Sequence, residues 1–116
     1  MARMSWVKLW VAECLTGTIR WELEPDERGV WYDLLLLAGD CRTAGIISAN
    51  ETTPLPRRTI AGRLNIDDEL LDRTIKKCVA SGRIEIDKKG LIHICSWAKY
   101  QSEYQRQKKY RQKTED

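Results

Sequence analysis

LNIDDELLDRTIKKCVASGRIEI, Leu64 to Ile86, is the stretch that decides the fold. Leu70, Leu71, Ile75, Cys78 and Val79 recur at helical spacing, while Asp68, Glu69, Asp72, Arg73, Lys76 and Lys77 take the other side. Asp67 stands where an N-cap belongs and Gly82 where a helix stops, so a helix is predicted from Asp67 to Ser81. Ile84 and Ile86 then alternate with charges, as in a strand. A turn, a helix and a strand in this order is a usual setting for a DNA-reading helix. Yet its leading end carries Asp67, Asp68 and Glu69, which a polyanion repels.

Working outward, PRRTIAGRLNI before this stretch predicts a helix of two to three turns. Ile60, Ala61 and Leu64 face inward, Arg57, Arg58 and Arg63 outward, and Asn65 ends it. After it, RIEIDKKGLIHICSW turns through Asp87-Lys88-Lys89-Gly90 and returns with Ile92 and Ile94, which predicts a hairpin with a basic tip. Further upstream, Ile46 and Ile47 are a brief strand before a polar loop closed by Pro54 and Pro56. LEPDERGVWYDLLLLAGDC predicts a helix of about 15 residues, with Pro25 in its first turn, Asp26 and Glu27 at its positive end and Gly39 as its stop. Val30, Trp31, Leu34, Leu35, Leu37 and Ala38 cover more than one face, so this should be the most buried helix. SWVKLWVAECL fits either a short strand running into a helix or a helix from Trp6.

Helix, short strand, helix, tight turn, helix and hairpin is the order of a winged helix-turn-helix, a mainly α fold with a small β-sheet (α+β). Arg57–Leu64 would be the supporting helix, Asp67–Ser81 the recognition helix and Arg83–Ser96 the wing. WAKYQSEYQRQKKYRQKTED has no glycine or proline and predicts a long polar C-terminal helix. The expected organisation is a winged-helix domain with an N-terminal extension over residues 1–96, then a basic helical tail or linker over 97–116.

The 116 residues suffice for one domain, and no apolar run approaches a membrane span. The first residues lack the apolar core and cleavage site of a signal peptide, so a cytoplasmic location is expected. Cys14, Cys41, Cys78 and Cys95 include no C-x-x-C pair to seed a zinc site and are read as structural thiols. The net charge of +3 is unevenly placed: Met1 to Ser96 holds 14 basic and 14 acidic residues, Trp97 to Asp116 six and three. A neutral body with a basic extension points to a polyanionic partner met by the extension.

Several strings together carry a family resemblance: GTIRWEL, RGVWYDLLLLAG, PRRTIAGRLNI, LLDRTIKKC and, most specifically, WAKYQSEYQRQKKYR. Over nearly the whole chain these resemble the N-terminal domains of phage replisome organiser proteins, which are similar to the winged-helix domains of DnaD-type primosome proteins. The resemblance implies binding at a phage origin and recruitment of helicase-loading machinery. Many members continue beyond the basic segment, so the chain is expected to be a short member or one domain of a longer protein.

No enzyme is expected. His93, the single histidine, lies on a wing strand opposite in side to Ile92 and Ile94 and is read as solvent-facing. Glu22, Glu24, Asp26 and Glu27 are read as first-turn helix residues rather than a metal site, and no metal or other cofactor is implied. Acids at the start of the recognition helix with Arg73, Lys76 and Lys77 further along suit the helix macrodipole at about 0.3–1 kcal/mol each, without any ligand. They also argue against deep groove reading, since base contacts come mostly from that end.

The candidate DNA-binding residues are therefore spread: Arg57 and Arg58 at a helix start, Arg73, Lys76 and Lys77 on the recognition helix, Lys88 and Lys89 on the wing tip, and Arg106, Lys108, Lys109, Arg111 and Lys113 in the tail. Double- and single-stranded DNA both remain open. Trp97, Tyr100 and Tyr104 form a stripe that packs back on the domain. A second reading is a protein-interaction module, with Asp68, Glu69 and Asp72 docking a basic partner or a second copy. Trp6, Trp10 and Trp21 add aromatic surface that favours a homo-oligomer. A transcriptional regulator is the third.

Overall fold

In the computed structural model, residues 3–101 are described. Two short helices, α1 (Val11–Leu15) and α2 (Thr18–Glu22), lead into the long helix α3 (Pro25–Asp40). Then follow β1 (Ile46–Ile47), α4 (Arg57–Leu64), α5 (Asp68–Ala80), β2 (Ile84–Ile86), β3 (Ile92–Ile94) and α6 (Trp97–Gln101). The architecture is mainly helical with one small antiparallel sheet, an α+β fold in the expected element order. No helix among the described residues is long and apolar enough to cross a membrane.

The sheet order is β1-β3-β2. Ile47 pairs with Ile92, Ile92 with Ile86, and Ile94 with Ile84, which puts one row of isoleucines on the face turned to the helices. Ile47, Ile84, Ile92 and Ile94 are buried there with Leu34 of α3, Ile60 of α4 and Leu71, Ile75 and Cys78 of α5. Each such aliphatic side chain contributes about 1.5–3 kcal/mol. Ile86 shares the inward side but remains exposed, because it ends the edge strand where the covering helices have run out. Val79, expected inside, is exposed for a similar reason on the last turn of α5. Thr74 takes the buried place, donating its hydroxyl to Leu70 O at 2.8 Å.

Helix ends follow local chemistry. Asp67 caps α5 by accepting the Leu70 amide at 2.8 Å. At its other end Gly82, at φ +80°, donates to Val79 O and Arg83 donates to Cys78 O, the paired bonds that close a helix into a strand. Asn65 does the same for α4 in the left-handed region at φ 57°. Pro25 is the first residue of α3, as expected. Gly39, in contrast, does not stop that helix, which runs on to Asp40. Gly39 is buried because the chain crosses it: a Cβ there would sit 2.7 Å from Val7 Cγ1.

Among the described residues, the N-terminal segment before α1 holds no strand. After residues 4–10 come α1 and α2, the latter not foreseen and made by GTIRWE. Glu22 ends α2 instead of opening a helix. Met4 N donates to Gly39 O at 2.9 Å, and Lys8 exchanges backbone hydrogen bonds with the Gln101 side chain at 2.7 and 3.0 Å. Trp10 Nε1 donates to Tyr100 O at 3.0 Å, with the two rings edge-on at 5.5 Å. Trp97 lies over Gly45, whose φ of +89° and 2.6 Å approach to the indole exclude a side chain. Trp97 and Tyr100 thus pack back as the stripe predicts, and contacts cross the expected boundary at Ser96. Tyr104 and the remainder of the predicted tail helix lie outside the described residues.

All four cysteines are free, Cys41 and Cys78 buried and Cys14 and Cys95 half-buried. Burial pushes the Cys78 thiol up to about 11, which makes it an inert core residue.

Candidate nucleic-acid interface

The exposed side of α5 is where its acids and bases must be sorted. Asp68 and Glu69 project from the first turn and are exposed, with Asp67 consumed in capping. The arrangement is the one that the helix dipole favours. Along the helix, however, the cations divide.

Arg73 and Lys77 turn toward the start of α3 and close over Glu27, which is fully buried. Arg73 Nε donates to Glu27 Oε2 at 2.8 Å, and Lys77 Nζ to Oε1 at 2.7 Å. The Glu24 amide also donates to Oε1 at 2.7 Å, and Arg73 reaches Asp26 Oδ2 at 3.0 Å. Burial pushes the Glu27 carboxyl up, but the hydrogen bonds from Lys77, the Glu24 amide and Arg73 together outweigh it and hold the carboxyl at about 2. Glu27 is therefore an ionised strut joining α3 to α5. The sequence carried a signal for it: three, four and seven residues before Val30, Trp31 and Leu34, Glu27 falls on the buried stripe of its own helix.

The second set faces outward. Arg57 and Arg58 open α4, whose first turn holds no acid and whose N-cap is Pro56. Arg57 Nη1 lies 3.1 Å from Asp72 Oδ1, an exposed pair of the kind worth about 0–1 kcal/mol and readily exchanged for another anion. Lys76, one turn beyond Asp72, is exposed. Arg57, Asp72, Lys76, Val79, Ala80 and Ile86 rim and floor an open depression of about 420 Å³, with Ile75 beneath it. α4, α5 and β2 meet there. Arg63, the third outward arginine of α4, pairs with Asp40.

The hairpin tip follows Ile86 in the chain. Asp87 shapes it: Oδ1 accepts the Lys89 amide at 2.9 Å and the Leu91 amide at 3.0 Å, and Oδ2 lies 2.8 Å from His93 Nε2. The hydrogen bond to His93, with those amides, holds the Asp87 carboxyl below the usual carboxylate range against a smaller opposing effect of burial. Lys88 and Lys89 stand exposed on the resulting turn. His93 is thus half-buried and bonded rather than simply solvent-facing, because the five-residue return brings Asp87 back beside it. Arg106, Lys108, Lys109, Arg111 and Lys113 lie outside the described residues.

A family model described as the N-terminal phage replisome organiser matches residues 26–116. The chain belongs to that family. Membership ties this replisome organiser domain to the initiation of phage replication. The match takes in α3 through α6 and every candidate residue named above, while α1 and α2 precede it. No curated protein and no solved structure matches the chain.

Proposed function

We propose that the domain is a winged helix-turn-helix that binds DNA during phage replication initiation as a binding module rather than an enzyme. In this reading α4 and α5 are the helix pair, the β2–β3 hairpin is the wing, and contacts go mainly to the phosphate backbone. One observation carries it: α4, α5 and the wing strand converge on one open face where Arg57 and Lys76 flank an apolar floor. Arg58 stands beside Arg57, and Lys88 and Lys89 follow on from Ile86. Arg57 and Arg58 oppose the positive end of their own helix, a cost that a phosphate at the α4 amides removes.

Arg73 and Lys77 are structural in this reading, since a phosphate would have to compete with a buried carboxylate for them. The acidic start of α5 discourages groove reading, so sequence preference comes from few base contacts and from DNA shape. The tail cations extend the backbone contacts. Recruitment of helicase-loading proteins completes the role and rests on the family alone.

Fluorescence anisotropy of duplex and single-stranded oligonucleotides over a range of salt tests the proposal. Five phosphate contacts from Arg57, Arg58, Lys76, Lys88 and Lys89 give a log-log salt slope of about −4.5 on duplex, before the tail adds its own. A chain ending at Ser102 should lose the tail's share and keep the rest. If neither form binds at low salt, the domain is a docking module and exposed Asp68 and Glu69 become the surface to test.

A further inference from the structure

Residues 6–21 carry an apolar surface that the fold leaves uncovered. Trp21 is 81% exposed, Val11 75% and Trp6 62%, and Leu9, Trp10 and Leu15 are exposed beside them in sequence. Helix α1 buries none of its five residues. A helix that short has no stability of its own in water and depends on packing, which here comes from α2 and from the Tyr100 hydroxyl of α6 on Glu13. At these exposures the three tryptophans alone leave on the order of 450 Å² uncovered. With the three aliphatic residues the total approaches the ~800 Å² per partner of a standard interface, more than a monomer usually leaves open.

We propose that this α1–α2 surface pairs with the same surface of a second copy, forming a two-fold dimer. A second copy is favoured over a charged partner because the charged side chains around the patch are already engaged within the chain. Glu22 accepts from Arg83 at 2.9 Å, Glu13 from the Tyr100 hydroxyl at 3.2 Å, and Arg20 donates to Cys14 O at 3.2 Å. Lys8 and Arg20 balance Glu13 and Glu22 over residues 6–22, so the surface carries no net charge for a charged partner and its large apolar side chains are free to meet their own copies about a two-fold axis.

The location leaves the proposed DNA face free. Arg83, just past the C-terminal end of α5, holds α2 through Glu22 and through Thr18 Oγ1 at 2.7 Å. The depression that carries the proposed DNA face is lined by Arg57, Asp72, Ile75, Lys76, Val79, Ala80 and Ile86, none of which belongs to the apolar patch. A dimer would present two such faces and raise the effective concentration of the second once the first is bound.

Sedimentation equilibrium of the intact chain without nucleic acid, from low micromolar to a few hundred micromolar, tests the pairing independently of DNA binding. The expected result is a reversible monomer–dimer equilibrium. Trp21→Glu and, separately, Val11→Lys should raise the dissociation constant roughly 30-fold or more for a central contact, with unchanged thermal melting of the diluted monomer because both side chains are exposed. Val79→Lys, on the depression at the wing, should leave the dimer intact. A monomer at every concentration overturns the proposal. So does a dimer that survives both N-terminal substitutions and is lost with Val79→Lys.

Discussion

Two groups of cations share the two central helices, and they live in different electrostatic worlds. Arg73 and Lys77 of α5 meet a carboxylate with no access to water; Arg57 of α4 and Lys76 of α5 stand in the open. Lys76 and Lys77 are consecutive, yet about 100° of helix turns the first to β2 and the second to α3. A basic residue on a candidate recognition helix is therefore not by that fact a phosphate contact. Where the counter-charge sits decides its role: Glu27 is preorganised and desolvated, whereas Asp72 is exposed and offers Arg57 a partner of little worth.

The sharpest way to break this division is to remove Glu27. Glu27→Ala should cost about 3 kcal/mol by urea denaturation, the low end for breaking a buried pair, because Arg73 and Lys77 keep 48% and 40% side-chain exposure and can rehydrate. A loss under 1 kcal/mol would show that the strut is dispensable. Next in size is the converse change. Replacing Arg57, Lys76, Lys88 and Lys89 by Gln should flatten the salt slope of duplex binding by about 3.6 and leave stability within about 0.5 kcal/mol. Arg73→Gln with Lys77→Gln should lower stability and leave the slope unchanged. The reverse outcome would place the phosphate contacts on the strut.

Acid titration sharpens the same contrast. Glu27 is held at about 2 against an ordinary 4.5, so the unfolded chain takes up its proton first. Its contribution is fully present above about pH 4.5 and is lost as the pH falls through about 2. Glu27→Gln should flatten the stability profile over that window, and parallel profiles for the two proteins would sink the assignment. The smallest effect concerns the acidic start of α5. Asp67→Ala should cost about 1 kcal/mol through loss of the cap to the Leu70 amide, with little change in DNA affinity at moderate salt. A large gain in affinity instead would mean that Asp67 was repelling a bound phosphate.

Much of the fold was legible because its signals are local. Apolar spacing marked α3, α4 and α5, Asp67 and Asn65 marked helix ends, and alternation about a turn marked the hairpin. α2 was missed because a five-residue helix with one buried residue, Ile19, has too little period to detect. Gly39 reads as a helix stop yet lies inside α3, because a glycine that ends a helix and one that admits a crossing chain look alike in a string of letters. Ile86 and Val79 have the right period but lie past the end of what covers them.

The sequence by itself determined most of the inventory: α3, α4, α5 and the hairpin, the ends marked by Asp67, Asn65 and Gly82, and the excess positive charge after Ser96. Only the tertiary structure decided which charges are spent. Pairing Glu27 with Arg73 and Lys77 joins residues 46 and 50 positions apart, and placing Arg57 beside Lys76 requires α4 and α5 to meet next to β2. Local propensity acts over a few residues through backbone sterics and capping. Electrostatic commitment is settled by which groups are desolvated together, and that is known only once the chain has closed on itself.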